Sequence, residues 1–195
     1  MTTKNAHDLI LRIAGAFVTY PDDLRLEHQS GEDGSVYWVM RGKPEDEGKL
    51  VGNHGAHVDA LRMIVTEFGR AARVAYTFRL VTERQFVERQ EKPRVDTAEF
   101  DPKPAENLLV EILCQCEIGD FNIQTKIGEG RKTTLAYDFH VVLANPTDYS
   151  ALTIQRKFKH REGETMSIEG AIGTLFRAIG KVNGVRFRVV IDEPV

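Results

Sequence analysis

The spacing of apolar and polar residues divides the first 83 positions into six segments with helix or strand periodicity. Apolar residues recur every three or four positions in some segments, as in amphipathic helices, and every second position in others, as in half-buried strands. The pattern predicts a helix over 8–19, strands over 24–29 and 36–41, a short helix over 44–51, a long helix from 56 to about 69, and a strand over 74–81.

The same order of elements returns after residue 104. The pattern predicts a helix over 105–116, strands over 121–127, 134–143 and 151–158, a helix over 167–180 and a final strand over 185–191. Between the halves, residues 84–104 are charged and contain prolines, which indicates an interdomain linker. We therefore predict an α+β protein with two tandem αββααβ-like domains, at 1–83 and 105–195, each with a three-stranded sheet packed by helices on one face.

Composition limits the classes of function. The 195 residues carry a formal net charge of −3, so any contact with nucleic acid must come from local clusters of Lys and Arg. The two cysteines, Cys114 and Cys116, are too few for a zinc knuckle. There is no apolar run of the roughly 18 residues that a membrane helix needs, and the N-terminus lacks the pattern of a signal peptide. We expect a cytoplasmic protein without a cofactor or metal.

The segment Pro44-Glu45-Asp46-Glu47-Gly48-Lys49-Leu50-Val51-Gly52-Asn53-His54-Gly55 resembles the signature of bacterial single-domain KH proteins of the KhpA type. That signature is a proline and acids, Gly-Lys, two aliphatic residues, and then G-x-x-G. The resemblance extends over about residues 7–83 and implies a type II KH fold that binds single-stranded RNA. The family usually has a basic residue between the two glycines and another after the second, whereas this chain has Asn53, His54 and Ala56.

The physical chemistry of the loop agrees with this reading. Two glycines let the backbone approach a sugar-phosphate chain and adopt turn dihedrals. The free amides at the start of the following helix favour phosphate, and an adjacent apolar groove can hold about four nucleotides. The predicted RNA-binding residues are the loop, the residues just before it and one cation on the next helix: Lys49, Leu50, Val51, Gly52, Asn53, His54, Gly55 and Arg62. His54 and His57 are spaced as a helical metal pair would be, but no third ligand is evident.

A second basic cluster lies at the equivalent place in the second half, where a G-x-x-G loop is lacking. Its members are Arg156, Lys157, Lys159 and Arg161. They can contact phosphates beside the first domain, or they can form an ordinary solvated strand end. On the neighbouring predicted helix, we expect Gly170 and Gly173 to permit close packing against another element.

Two interpretations of function remain open. In the first, the protein is a non-catalytic RNA-binding protein whose first domain is active and whose second is degenerate. In the second, KH-like folds that have lost RNA binding form a scaffold for a protein partner or for a second copy of the chain. The sequence shows no nucleophile–base pair, phosphate-binding loop or nucleotide fingerprint, so we do not expect an enzyme.

Overall fold

The computed structural model describes residues 3–82, 100–129, 135–157 and 165–193. It is a mixed α+β structure with six α-helices and two three-stranded sheets in these ranges. None of the described helices combines the length and apolar character that crossing a bilayer requires.

The first half contains three helices and three strands. In chain order they are α1 (Thr3–Gly15), β1 (Arg25–Ser30), β2 (Val36–Arg41), α2 (Pro44–Val51), α3 (Ala56–Ala72) and β3 (Tyr76–Leu80). A single 3-10 turn, Asn53–Gly55, separates α2 from α3.

The second half repeats this order and adds a short hairpin. Its elements are α4 (Lys103–Gln115), β4 (Phe121–Glu129), β5 (Leu135–Leu143), α5 (Pro146–Thr153), β6 (Arg156–Lys157), β7 (Thr165–Met166), α6 (Ile168–Val182) and β8 (Arg186–Asp192). The strands β6 and β7 pair with each other and occupy the region between α5 and α6.

The two main sheets have the same topology. In the first, β2 lies between β1, to which it is antiparallel, and β3, to which it is parallel. In the second, β5 lies between antiparallel β4 and parallel β8. A parallel pair needs a crossover connection, and the segments containing α3 and α6 provide it.

Each sheet buries one face under helices. In the first sheet the inward side chains include Trp38, Met40 and Phe78, which are buried, while Tyr37, Arg41 and Thr77 between them are exposed. This alternation follows from the two-residue period of a strand. The long helices α3 and α6 each pack on the strand that follows them.

The halves meet through equivalent helices. The contact between α3 and α6 is the most extensive one between elements of different halves, and α1 also packs against α4. At the second contact, Arg12 donates two hydrogen bonds to Glu111, at 2.5 and 2.9 Å. The buried apolar residues of both halves therefore form one continuous cluster.

Two glycines near the ends of α3 and α6 occupy corresponding positions. A Cβ added at Gly69 would lie 2.5 Å from the carbonyl oxygen of Val74, and one added at Gly180 would lie 2.9 Å from that of Val185. The Val74 amide donates to the Gly69 carbonyl at 2.8 Å, and the Val185 amide donates to the Gly180 carbonyl at 3.0 Å. Both helices thus turn back into their last strand through the same tight contact.

The short helices α2 and α5 also share a pattern, Pro-x-Asp-x-x-x-Leu, at residues 44–50 and 146–152. Leu50 and Leu152 are both fully buried. In each half the aspartate accepts backbone hydrogen bonds from the segment that follows the first helix: Asp46 from Thr19 and Tyr20, and Asp148 from Gly119 at 2.9 Å.

Several sequence predictions need correction. The predicted strand over 151–158 is wrong over its first part, because residues up to Thr153 belong to α5, and the strand found there, β6, spans only Arg156–Lys157. Asn145 caps this helix by accepting a hydrogen bond from the Thr147 amide at 2.9 Å, and proline stands in its first turn. The first helix spans Thr3–Gly15 instead of 8–19.

The predicted linker is also too long at its C-terminal end, since α4 begins at Lys103. Residues 84–99 of the linker lie outside the described residues. Within this chain Gly170 and Gly173 do not show the expected close packing, because a Cβ at Gly170 would meet only Ser167 and Met166 at 3.3 Å or more, and one at Gly173 would meet nothing within 4 Å.

Candidate functional site

The segment Gly52–Gly55 forms a tight turn between α2 and α3. Three of its residues have positive φ: Gly52 at 75°, His54 at 50° and Gly55 at 80°. The Gly55 amide donates to the Gly52 carbonyl at 3.2 Å, which closes the turn. Asn53 and His54 are exposed at its tip, whereas Gly55 is buried. The sequence therefore presents two polar side chains at the beginning of a 17-residue helix.

His57, in the first turn of α3, packs against the backbone of this loop. A Cβ at Gly52 would lie 2.5 Å from Cγ of His57, so only glycine fits there. Nδ1 of His57 lies 2.6 Å from the carbonyl oxygen of Lys49, which requires the proton to be on Nδ1. The ring also makes an edge contact with Phe17, with centroids 5.4 Å apart. His57 therefore joins α2, the loop and the segment that follows α1.

Asp46 fixes the other side of α2. Its side chain is 1% exposed, and its carboxylate accepts hydrogen bonds from the amides of Thr19 at 2.9 Å and Tyr20 at 2.8 Å. Burial opposes ionisation, but Lys49 and the two amides outweigh it and hold the pKa of Asp46 below its usual value. The helix that leads into the loop is thereby attached to the segment after α1.

The three predicted residues that precede the loop differ in their accessibility. The Lys49 ammonium lies 2.5 Å from Oδ1 of Asp46 and also contacts the hydroxyl of Thr19. Leu50 is fully buried, so the prediction that it lines a groove is wrong, and its side chain supports α2 from the core instead. Val51 is half-buried beside Gly52.

Arg62 lies in α3, and its guanidinium donates to Oδ1 of Asp59 at 2.7 Å. The Arg62 side chain is 35% exposed, and that of Asp59 is 6% exposed. Lys49 and Arg62, the two lysine or arginine residues predicted for this site, therefore both carry a carboxylate partner. This reduces the positive potential that the loop region offers to a phosphate.

The predicted secondary patch has one member with a described side chain, Arg156 in β6. It does not extend toward solvent as a free cation, because it forms an ion pair with Glu67 of α3, which is fully buried. Glu67 also accepts a hydrogen bond from Arg70 at 2.8 Å. Burial lowers the pKa of Arg156. The Lys157 side chain and residues Lys159 and Arg161 lie outside the described residues.

Sequence reasoning missed the role of His57, which was considered only as a metal ligand. The described residues contain no group of three His, Cys, Asp or Glu side chains arranged to hold a metal ion. A signal for the true role was present: an imidazole five residues after a glycine can fill the space that the missing side chain leaves.

Comparison with known proteins adds independent evidence. No family model matches the chain. The chain is 40% identical over 58 residues to RNA-binding protein KhpA of Halalkalibacterium halodurans, an alignment that covers 29% of this chain and 74% of the relative. It is 35% identical over 65 residues to RNA-binding protein KhpA of Leifsonia xyli subsp. xyli, which covers 33% of this chain and 84% of that relative. Each alignment takes in most of a relative's length, so the chain belongs to the KhpA family.

Proposed function

We propose that the protein is a non-catalytic RNA-binding protein that holds single-stranded RNA at the Gly52–Gly55 loop. The observation that carries this proposal is the loop geometry: two glycines with positive φ bring the backbone close to the surface just before α3 and leave Asn53 and His54 exposed. RNA-binding protein KhpA, the name of both relatives, supports the same class of ligand.

In this proposal the loop backbone meets the sugar-phosphate chain. The amides at the start of α3 and the side chains of Asn53 and His54 donate hydrogen bonds to phosphate oxygens. Val51 lies at the edge of the site and offers an apolar contact to a base. Lys49 and Arg62 add little net charge, because Asp46 and Asp59 stand against them. We therefore expect modest affinity from the loop alone.

We further propose that the chain is a tandem duplication of type II KH domains and that the second copy is degenerate. The matching sheet topologies, the two Pro-x-Asp-x-x-x-Leu helices and the equivalent Gly69 and Gly180 support it. The second copy carries the β6–β7 hairpin where the first has its loop. Its role in this proposal is to pack against α1 and α3.

The test is a titration of fluorescent single-stranded RNA of random sequence with the parent and with Asn53→Asp/His54→Asp, at about 50 and 150 mM salt. We expect both substitutions to keep the fold, since Asn53 is exposed and aspartate tolerates the positive φ of His54 better than most residues. A matched control, Asn107→Asp/Gln124→Glu, adds the same two negative charges at exposed positions of the second half.

We expect the parent and the control to bind, more weakly at the higher salt, and the loop variant to lose binding. Equal affinity of the loop variant and the control would overturn the loop as the site. Absence of binding by the parent at both salt concentrations would favour the alternative, a scaffold that has lost RNA binding.

A further inference from the structure

The outer face of the first sheet points away from the helices and carries an unusual set of side chains. Its members alternate with the buried residues of the three strands. They are Arg25, Glu27 and Gln29 on β1, Tyr37, Val39 and Arg41 on β2, and Thr77 and Arg79 on β3. All of them are exposed except Val39, which is half-buried.

The strand register brings the basic members of this face together. Arg25 is paired directly with Arg41 across β1 and β2, and Arg79 is paired with Val39 across β2 and β3. Like charges directly opposite each other destabilise a sheet. Arg41 lies between Arg25, its direct partner on β1, and Arg79 on β3, which is offset by two residues. This position is therefore electrostatically unfavourable until an anion binds there.

These arginines lack carboxylate partners among the residues that the structure describes. Arg41 and Arg79 form no ion pair there, and Arg25 donates to the carbonyl oxygens of Asp22 and Leu24 at 2.6 and 2.8 Å, which orients the guanidinium without neutralising it. Glu27 is the one acidic side chain on this face of the described strands. The face carries a net positive charge, although the whole chain is at −3.

The outer face of the second sheet provides an internal comparison. There two of the three basic residues of β5 and β8 stand beside acids: Arg188 lies 4.0 Å from Asp138, and His140 lies 3.1 Å from Asp192. The two sheets share a topology, so the difference comes from the side chains alone.

The first sheet also exposes an aromatic ring between its polar side chains. Tyr37 is 46% exposed, and its ring edge lies near Gly31, where an added Cβ would be 3.2 Å from Cε2 of Tyr37. Tyr37 precedes Arg41 by four residues on the same face of β2, a distance of about 13 Å. An exposed ring among cations is the combination that stacks bases while phosphates are neutralised.

We propose that the outer face of the first sheet is a second contact surface for single-stranded RNA, with Arg41, Arg79 and Arg25 holding phosphates and Tyr37 stacking on a base. This inference rests on the proposed RNA binding and deepens it. It assigns the salt-dependent part of the affinity to the sheet, because the lysine and arginine predicted at the loop are already paired with carboxylates. An acidic peptide would use the arginines but would gain nothing from a stacking ring.

The test uses the same RNA titration on the full chain with Arg41→Gln/Arg79→Gln and, separately, Tyr37→Ala. Arg186→Gln/Arg188→Gln removes the same charge from the outer face of the second sheet and serves as the control. All these side chains are exposed, and circular dichroism melting checks that each variant keeps its fold. Poly-glutamate of matched charge is added as a competitor to separate RNA recognition from attraction of any polyanion.

We expect the Arg41/Arg79 variant to lower the slope of log affinity against log salt by about 1.4, since each phosphate contact on a single strand contributes about 0.7. Tyr37→Ala weakens binding between about 5-fold and 100-fold. The control behaves as the parent, and poly-glutamate competes poorly.

Four outcomes overturn the inference. If the sheet variants bind RNA like the parent while the loop variant loses binding, the proposed function is supported and the sheet is not a contact surface. If the Arg186/Arg188 control loses as much slope as the Arg41/Arg79 variant, or if poly-glutamate displaces RNA at equal charge, the attraction is unspecific. If the parent binds no RNA, both proposals fail together.

Discussion

A Cβ atom added to Gly52 would lie 2.5 Å from Cγ of His57 and 2.8 Å from its backbone nitrogen, so the loop backbone and the imidazole ring are in direct contact. Gly52 has φ 75° and ψ 178°, a conformation that is open to glycine and to almost no other residue. The shape of the loop therefore depends on the lack of a side chain at Gly52 and on the imidazole ring of His57.

Replacing Gly52 with alanine should destabilise the protein and distort the loop. The backbone strain alone costs about 1–3 kcal/mol, and the overlap with His57 adds to it. We expect the free energy of unfolding in urea to fall by at least about 2 kcal/mol.

Gly48, four residues earlier in α2, is the matched control. It is exposed in the helix, and a Cβ there would meet nothing within 4 Å. Gly48→Ala should leave stability unchanged or raise it by about 0.5–1 kcal/mol. Equal unfolding free energies for the two variants would show that the contact with His57 does not constrain the loop.

The buried carboxylate of Asp46 should make stability depend on acid pH. Its pKa is lowered in the folded state, so the ionised form stabilises the fold above the unfolded pKa of about 3.9, and this contribution is lost as the pH falls through the lower folded value. Asp46→Asn should reduce the unfolding free energy at pH 7 by about 1.5–3 kcal/mol and should flatten the loss of stability below about pH 4.

Asp148 is the natural comparison, since it holds the corresponding position in α5 but accepts a single backbone hydrogen bond among the described residues, from Gly119. Asp148→Asn should cost less than Asp46→Asn, and it should leave the acid limb of the stability curve nearly as in the parent. A larger loss for Asp148→Asn would contradict the assignment of Asp46 as the stronger anchor.

The first half could be predicted closely from sequence because its signals are local. Pro44 and the acids after it begin a helix, and Gly52 ends it. The same proline-and-acid signal stands at Pro146 and Asp148, yet that segment was interpreted as a turn followed by a strand. The apolar alternation from Ala151 onward outweighed the capping residue Asn145, whose hydrogen bond to Thr147 decides the structure.

The candidate site was predictable only in part, for a different reason. The glycines specify the loop backbone through their own conformational freedom, and the structure has them in that turn. Whether Lys49 or Arg62 offers a free charge depends on partners that are set by packing. Arg156 pairs with Glu67, which lies 89 positions earlier in the chain. A contact so distant in sequence leaves no local pattern, so the sequence predicts a basic cluster at Arg156 where the structure has an ion pair.

The turns that lead from α3 and α6 into the following strands should tolerate no side chain at their glycines. Gly69→Ala should cost more than Gly180→Ala, since the added Cβ would lie 2.5 Å from a carbonyl oxygen at the first and 2.9 Å from one at the second. Both should lose about 1–3 kcal/mol of unfolding free energy.

Gly173, in the same helix as Gly180, controls for the general effect of replacing glycine. A Cβ there would meet nothing within 4 Å, so Gly173→Ala should stabilise the protein by about 0.5–1 kcal/mol. If Gly180→Ala is also stabilising, the close approach to Val185 and Phe187 is relieved by a small shift and the turn is less constrained than its distances indicate.

The ion pair between Glu67 and Arg156 should hold the β6–β7 hairpin of the second half against α3 of the first. Glu67 is fully buried, and Arg156 is 30% exposed. Arg156→Met leaves the carboxylate with Arg70 as its remaining described partner, which should lower the unfolding free energy by about 1–3 kcal/mol. Glu67→Met/Arg156→Met removes both charges and should be less destabilised than Arg156→Met, because no buried charge is then left without its partner.

Arg177→Met on the exposed side of α6 is the control and should change stability by no more than about 0.5 kcal/mol. The single variant Glu67→Met completes the cycle. If the double variant loses as much as Arg156→Met and Glu67→Met together, measured in the same urea titrations, the two side chains act independently and the halves are held by apolar packing alone.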